Sequence, residues 1–201
     1  MKAGEIFPTK NCGDIEVVEY VNAKVVNIKF IKSGFTKTAR ADHIRTGEVR
    51  DPYFPSLYGK GYLGEGKHKC GTKGRHSPAY SRWSGMLSRC YDPYICNRAP
   101  SYRDCIVCPE WLNFQNFAEW FYAQDYIGKE LDKDIRIIGN QVYGPEGCMF
   151  VSSQENTEEA HAKKYKFISP SGVVTEVYNL NKFARDNNLR RELLGKVHRG
   201  E

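Results

Sequence analysis

The sequence has no long hydrophobic run and no signal-like start. No apolar stretch approaches the roughly 18 residues that a membrane-spanning helix needs, so we expect no membrane partner. The opening Met1-Lys2-Ala3-Gly4-Glu5 leads into no apolar segment of the kind found in secretory signal peptides. These absences predict a cytoplasmic protein.

The sequence also has no second Cys-x-x-Cys pair beside the one at Cys105 and Cys108. Its 7 cysteines are an odd number, which favours reduced thiols over a disulfide framework. With Cys90 and Cys148, the pair provides four thiols around one predicted core, a set that suits a tetrahedral zinc site. Cysteine is equally at home as a small buried residue. Buried thiols are favoured because a second pair is missing, and zinc is the alternative.

The net charge of +6 is distributed unevenly along the chain. Residues 1–76 carry +6, residues 77–156 carry −3 and residues 157–201 carry +3. A basic front and back around an acidic middle suits a protein that holds a polyanion with its ends. The acidic middle can hold a divalent cation or serve as a solvated surface.

Residues 1–58 predict a small antiparallel β-module of SH3-like size. Strands are expected over residues 15–21, 24–30 and 35–40, with turns between them. Residues 59–76 are rich in glycine and predict a basic linker that either follows a nucleic-acid backbone or is mobile. The cations of this linker are Lys60, Lys67, Lys69, Lys73 and Arg75.

Two helices are predicted next. Ser77-Pro78 has the form of a helix start, and Asn113 can cap the second helix. Apolar residues follow each cap at helical spacing, which predicts one buried face per helix. These residues are Tyr80, Trp83, Leu87 and Cys90 in the first helix and Phe114, Phe117 and Phe121 in the second. We interpret the aromatic stripe as core and not as a platform for stacking bases.

The last third of the chain predicts two further motifs. Residues 131–151 have a hairpin-like pattern around Gly139-Asn140, and Ser152 or Ser153 can cap a short helix that runs through Asn156. Residues 164–201 predict a hairpin with a Pro-Ser-Gly turn and then two short helices, the first capped by Asn179, which is a helix-turn-helix pattern. Its basic residues, which we expect to contact DNA phosphates, are Lys182, Arg185, Arg190, Arg191 and Lys196.

Residues 80–156 resemble a phage-borne branch of the HNH (ββα-metal) nuclease superfamily, close to free-standing homing endonucleases. The matching stretches are Tyr80-x-x-Trp83-x-x-Met86-Leu87-x-Arg89-Cys90-Tyr91, residues 105–117, Leu131-Asp132-Lys133-Asp134 and Tyr143-x-Pro145-Glu146-x-Cys148-x-Phe150-Val151. The tail is similar to the helical DNA-binding module that follows many homing nucleases. The resemblance implies an α+β chain with an HNH-like domain over 77–163 and a DNA-binding tail over 164–201. It also implies double-stranded DNA as the partner and the host cytoplasm as the location.

The resemblance assigns roles to three residues. Asp132 and Asn156 match the two ligands of a divalent metal, Mg²⁺ or Mn²⁺. Lys133 stands where the family has its general-base histidine, and an ammonium with an ordinary pKa of about 10.4 is charged at neutral pH and accepts no proton. The acidic neighbours on both sides of Lys133 favour the charged form, which suits phosphate contact. His161 is five positions after Asn156 and points off the ligand face.

The sequence leaves three functions open. The first is a DNA-binding protein on an HNH-like scaffold, weakly active or inactive as a nuclease. The second is an active homing-type endonuclease that works without a side-chain base. The third is a non-catalytic phage effector that binds a host protein through its N-terminal β-module.

Overall fold

The computed structural model describes residues 1–137, 139–169 and 171–199. These residues divide into two compact units, each described by itself below. The N-terminal unit comprises Met1–Gln124 and Gly139–Gly147, and the C-terminal unit comprises the described residues of 125–138 and 148–201. This division differs from the predicted modules, because residues 77–163, which were expected to form one domain, are divided between the two units.

The described residues form short strands and short helices in alternation. The strands are β1 Ile6–Pro8, β2 Asp14–Asn22, β3 Val25–Phe30, β4 Thr36–Ala39, β5 Gly71–Thr72, β6 Arg75–His76, β7 Ile106–Val107, β8 Glu130–Asp132, β9 Val142–Tyr143, β10 Met149–Val151, β11 Lys164–Ile168 and β12 Val174–Tyr178. The helices are α1 Ala41–Arg45, α2 Pro78–Tyr91, α3 Pro93–Arg98, α4 Phe114–Tyr122, α5 Ser153–Ala160, α6 Leu180–Asp186 and α7 Arg191–Arg199, with 3-10 turns at Pro100–Tyr102 and Pro109–Leu112. The mixture confirms the α+β class.

The first four strands form an antiparallel sheet in the order β1-β2-β3-β4. Alternate residues of β2 and β3 point to one side, so Ile15 lies opposite Phe30 and Val17 opposite Ile28. These side chains are buried together with Ile44 of α1. The small antiparallel sheet and its three predicted strands are confirmed, whereas β1 and α1 were not predicted. An SH3-like arrangement stays a prediction.

Helices α2 and α4 form the second core of the N-terminal unit. The Ser77 side chain accepts the Tyr80 backbone N–H at 3.2 Å, and the Asn113 side chain accepts the Gln115 backbone N–H at 3.0 Å. Both predicted caps are therefore confirmed. Trp83 and Phe114 are fully buried with ring centroids 5.4 Å apart. The aromatic stripe is core, as predicted.

The segment expected to be a linker, residues 59–76, is instead packed against α2 and α4. A Cβ at Gly61 would lie 2.4 Å from Leu87 Cδ1 and 2.9 Å from Trp83 Cζ2. The Tyr62 backbone donates to the Leu112 carbonyl and accepts from the Phe114 N–H, each at 2.9 Å. Glycine at 61 thus serves close packing and not chain flexibility, a role that composition alone does not distinguish.

Replacing Gly61 with alanine is expected to lower the free energy of unfolding by about 1–3 kcal/mol, because the new methyl group overpacks the contact with Leu87 and Trp83. Gly85→Ala is the matched control. Apart from its chain neighbours and the backbone of its own helix, no heavy atom of the described residues lies within 4 Å of a Cβ at Gly85. This change within α2 should therefore raise stability by about 0.5–1 kcal/mol. Urea unfolding of both variants measures the difference. Equal stability of Gly61→Ala and the native chain would contradict the packing.

The C-terminal unit contains two antiparallel strand pairs. In the first, β8 pairs with β10, with Asp132 opposite Met149 and Glu130 opposite Val151. Helix α5 follows β10, and Ser152 caps it as predicted. The Ser152 hydroxyl accepts the Glu155 N–H at 3.2 Å, and the Glu155 carboxylate accepts the Ser152 N–H at 2.9 Å. This reciprocal arrangement is a capping box.

One part of the predicted hairpin over 131–151 was wrong. The segment between β8 and β10 does not simply turn back on itself, because β9 within it pairs with β7 in parallel. Tyr143 of β9 is buried, and its carbonyl accepts the Cys108 N–H at 2.9 Å. Residues 139–147 therefore belong to the N-terminal unit. A pairing partner so distant in sequence leaves no local signal.

The second strand pair, β11 with β12, is followed by α6 and α7. The Asn179 side chain caps α6 by accepting the Lys182 N–H at 3.1 Å, which confirms the predicted cap. The predicted turn between the strands includes Pro170, which lies outside the described residues. Within the part of the chain that the structure describes, no helix has the length and apolar character needed to cross a membrane.

Candidate functional site

The predicted metal-binding residues lie on β8 and α5. Glu130 and Asp132 are two positions apart on β8, so their side chains project from the same face of the strand. Asn156 lies in the first turn of α5, and its Nδ2 donates to Glu130 Oε2 at 2.6 Å. Ser153 Oγ donates to Glu130 Oε1 at 3.1 Å. Glu130 therefore connects the helix to the strand beside Asp132.

Glu130 is not part of the motif from which the site was predicted. The signal that could have identified it is the two-residue period of a strand, which places a side chain two positions before Asp132 on the same face. In the described contacts, Asn156 bonds to Glu130 and not to Asp132. The amide of Asn156 on the helix is thus bonded to Glu130, which lies two positions before Asp132 on the strand.

Asp132 closes the turn that follows β8. Its Oδ1 accepts the backbone N–H groups of Asp134 at 2.7 Å and Ile135 at 2.8 Å. Local bonds of this kind are typical of aspartate at the start of a turn. One carboxylate oxygen is therefore committed to the backbone, and a ligand at this position would bind through Oδ2.

Lys133 is buried and ion-paired. Its Nζ lies 2.8 Å from each carboxylate oxygen of Asp134. The Lys133 side chain is 8% exposed, whereas that of Asp134 is 45% exposed. The phosphate contact suggested for Lys133 stays a prediction; in this structure its ammonium is bonded to Asp134. The pair anchors the turn after β8.

The loop before β10 is held by Asn140. Its side-chain amide accepts the Val142 N–H at 3.0 Å and donates to the Val142 carbonyl at 2.9 Å. A Cβ at Gly147 would lie 2.5 Å from Asn140 Nδ2. Glycine at 147 leaves the space that the Asn140 side chain occupies.

Oxygen donors at this site fit a hard divalent cation. The carboxylate of Asp132 and the amide oxygen of Asn156 are ligands that Mg²⁺ and Mn²⁺ accept. Mg²⁺ commonly takes one or two carboxylates and keeps several waters. Across the described ranges, no three His, Cys, Asp or Glu side chains come together to hold a metal. The divalent-cation site therefore stays a prediction on these two residues.

His161 follows the end of α5. Its Nδ1 lies 2.8 Å from the Thr157 carbonyl oxygen, and the residue is exposed. The ring is thus bonded back to its own helix.

All seven cysteines are thiols outside any disulfide. Cys90 and Cys105 are buried in the N-terminal unit, where Cys105 Sγ donates to the Ser101 carbonyl at 3.4 Å. Burial raises the pKa of the Cys108 thiol in the same unit. Cys148 is buried in the C-terminal unit. The buried environment agrees with ordinary core thiols, and a zinc site on these four residues stays a prediction.

The basic residues of the tail differ in their partners. Lys182 is ion-paired with Asp186 at 3.1 Å, and Arg185 with Glu158 at 2.6 Å. Arg191 Nε bonds to the Asn181 side chain at 3.2 Å. The others, Arg190 and Lys196, are exposed, and neither is ion-paired with any residue in the described part of the tail.

The basic residues of segment 59–76 also differ from one another. Lys67 is ion-paired with Glu119 at 2.9 Å, and Lys60 Nζ lies 6.0 Å from the centre of the Tyr91 ring. The remaining cations of this segment, Lys69, Lys73 and Arg75, are exposed on or beside the β5–β6 hairpin.

Glu130→Ala is expected to lower the free energy of unfolding by about 1–3 kcal/mol, because it removes the carboxylate that accepts from both Asn156 and Ser153. Asn156→Ala removes one of the same two bonds. The double variant should therefore cost less than the sum of the two single changes. Thermal and urea unfolding of the three variants measure this coupling. Strictly additive effects would show that the two side chains do not interact.

Comparison of the chain with protein-family models, with curated proteins and with solved structures gives no match. The function of the chain is therefore inferred from its own residues and their contacts.

Proposed function

We propose that this chain is a phage-type double-stranded-DNA-binding protein of the HNH homing-endonuclease-like family whose nuclease position does not cleave DNA. The observation that carries the proposal is the state of Lys133. The residue at the general-base position is buried and bonded through Nζ to both oxygens of Asp134.

A general base must accept a proton from the attacking water. The Lys133 amine could do so only after losing its own proton, and that loss would forfeit the charge attraction in both bonds with Asp134. His161 gives no substitute, since it lies five positions after Asn156 and so points off the ligand face. In this proposal the site has the strand and the helix of the resembling family but lacks the proton acceptor.

Asp132 and Asn156 would hold Mg²⁺ or Mn²⁺ through Oδ2 and the amide oxygen. Such an ion, when bound, supplies positive charge that attracts a DNA phosphate. Glu130 positions Asn156 through the 2.6 Å bond to its amide nitrogen, which leaves the amide oxygen for the ion. The residues of this site then bind and orient the DNA backbone.

Exposed cations of the tail supply the main contact in this proposal. Arg190, Arg191 and Lys196 lie on or beside α7, and carboxylates do not neutralise them within the described residues. Arginine and lysine in such positions bind phosphates and set the salt dependence of the complex. The net charge of +3 over residues 157–201 favours the same partner.

Fluorescence anisotropy of a labelled duplex tests the binding. We expect the full chain to bind double-stranded DNA with an affinity that falls linearly on a logarithmic salt scale. Binding that is absent at low salt, or that does not change with salt, would contradict the proposal.

The alternative is a protein-binding effector, and one observation favours it. Apolar side chains are exposed on the N-terminal sheet, with Val18 at 50%, Tyr20 at 41% and Val21 at 55%. Exposed apolar side chains of this kind mark protein interfaces when they are contiguous. Affinity purification from infected cells separates the two functions. The effector function would be supported if the native chain recovers a single stoichiometric protein partner without nucleic acid. The Val21→Lys variant should then fail to recover that partner.

A further inference from the structure

Helix α7 of the C-terminal unit exposes apolar side chains on one face. Leu193 is 55% exposed and Val197 is 61% exposed. They are four positions apart, so they lie one turn from each other on the same face of the helix. Leu194, about 100° round the helix from Leu193, is half-buried, and α7 packs against α6 and β11. Leu193 and Val197 therefore point away from the contacts that hold α7 in its unit.

The charges beside this face indicate what covers it. Lys196 is exposed and lies three positions after Leu193, so it flanks the same face. Residues 190–197 contain three cations and the anion Glu192, which gives a net charge of 3 − 1 = +2. An apolar surface with net positive charge is complementary to a polyanion that also presents apolar groups.

Double-stranded DNA has both of these properties in its major groove. Negatively charged phosphates border the groove, and the C5-methyl group of thymine is the apolar group that the base edges present inside it. The groove is about 12 Å wide and admits an α-helix. Residues 187–190, a four-residue connection, separate α6 from α7. That is the spacing of a helix-turn-helix motif, whose second helix enters the major groove.

We propose that α7 recognises thymine in the major groove through Leu193 and Val197, whose side-chain methyl groups pack against the thymine C5-methyl. The inference rests on the DNA binding proposed above and adds a base preference to it. Lys196 then lies at the edge of the groove beside a phosphate. The phosphate contacts position the helix, and the two apolar side chains distinguish thymine from cytosine, which has no methyl group at that position.

Replacing thymine with uracil tests the inference, because uracil lacks only the C5-methyl group and keeps every hydrogen-bonding atom of thymine. The sequence that the full chain binds most tightly is selected from duplexes with a randomised core. It is then synthesised with thymine and with uracil, and anisotropy titrations compare the two. We expect the uracil duplex to bind about fourfold more weakly for each contacted thymine, since each contact buries about one methyl group.

The same titrations distinguish the failure of this inference from the failure of the proposed function. If the native chain binds no duplex at low salt, the proposed DNA binding is wrong and the inference is wrong with it. If binding is salt-sensitive but equally tight for thymine and uracil, the DNA binding stands and the inference is overturned. A selection that enriches thymine at no position would also overturn it.

Leu193→Ala combined with Val197→Ala is the variant that identifies the side chains. It should bind the thymine duplex and the uracil duplex with nearly equal affinity, because the contacts with the methyl group are removed. Val173→Ala is the matched control, since Val173 is also 61% exposed but lies between β11 and β12. The control should keep the native preference for thymine.

Circular dichroism confirms that the variants are folded. A folded double variant that still prefers thymine as strongly as the native chain would overturn the inference. If the double variant does not fold, the comparison of thymine with uracil in the native chain still decides.

A second copy of the chain is the other occupant that an exposed apolar helix face allows. Sedimentation equilibrium of the native chain without DNA tests this alternative, and we expect a monomer. A dimer that dissociates when Leu193 and Val197 are both replaced with alanine would assign the face to self-association and overturn the inference.

Discussion

Replacing Lys133 with histidine is expected to produce Mg²⁺- or Mn²⁺-dependent nicking of double-stranded DNA at a rate about 10²-fold or more above that of the native chain. A positioned general base typically contributes about 10²- to 10⁴-fold to a reaction. Asp134, now bonded to the Lys133 ammonium, can instead orient the imidazole and favour its proton-accepting form on the opposite nitrogen. The measurement is conversion of supercoiled plasmid to the nicked form.

Two further variants make that result specific. Lys133→Met removes the ammonium without providing a base, so it should not nick. Combining Lys133→His with Asp132→Ala should abolish the acquired activity. The second change removes the carboxylate on β8 that is proposed to hold the metal ion. A folded Lys133→His protein that still binds DNA and does not nick would show that the missing base is not what silences the site.

The second large effect concerns the tail. Replacing Arg190, Arg191 and Lys196 together with alanine is expected to weaken binding to double-stranded DNA by at least about tenfold at low salt. If each residue neutralises one phosphate, the slope of log affinity against log salt should become shallower by about 0.9 for each phosphate that is no longer neutralised. Anisotropy titrations over a salt series measure both quantities.

The paired cations of the same tail provide the control. Lys182 and Arg185 are already neutralised by Asp186 and Glu158, so replacing these two with alanine should change affinity much less. A larger decrease in affinity from the Lys182 and Arg185 pair than from the other three would contradict the assignment of the DNA-binding surface to α7. It would instead place that surface at α6.

Local signals predicted the parts of the fold that depend on neighbouring residues. The caps at Ser77, Asn113 and Asn179 are confirmed because a cap needs only a side-chain oxygen and the next few backbone N–H groups. The buried face of α4 is confirmed because helical spacing repeats within the helix itself. In these cases the sequence contains both partners of the interaction close together.

Features that depend on distant partners were not predicted. The parallel pairing of β7 with β9 joins segments about 35 residues apart and leaves no local pattern. The glycines of segment 59–76 indicate a linker by composition, yet Gly61 is needed for its close approach to Leu87. Only the three-dimensional arrangement distinguishes a glycine that allows close packing from one that allows motion.

In the candidate site, too, the residues were predicted from the sequence but their contacts with distant partners were not. Asp132, Lys133 and Asn156 were identified by their positions in the motif. The bond from Asn156 to Glu130 and the inward turn of Lys133 toward Asp134 depend on how β8 meets α5. Burial of Lys133 therefore could not be predicted from its flanking charges, which indicated only that the ammonium stays protonated.

The most direct test of the central claim measures binding and cleavage of the same DNA by the native chain. Purified protein is incubated at low salt with a supercoiled plasmid and with a labelled duplex of the same sequence, in Mg²⁺ and in Mn²⁺. The claim predicts a salt-sensitive complex with the duplex and no nicked plasmid above the buffer control. Nicking by the native chain that disappears in Asp132→Ala would contradict it.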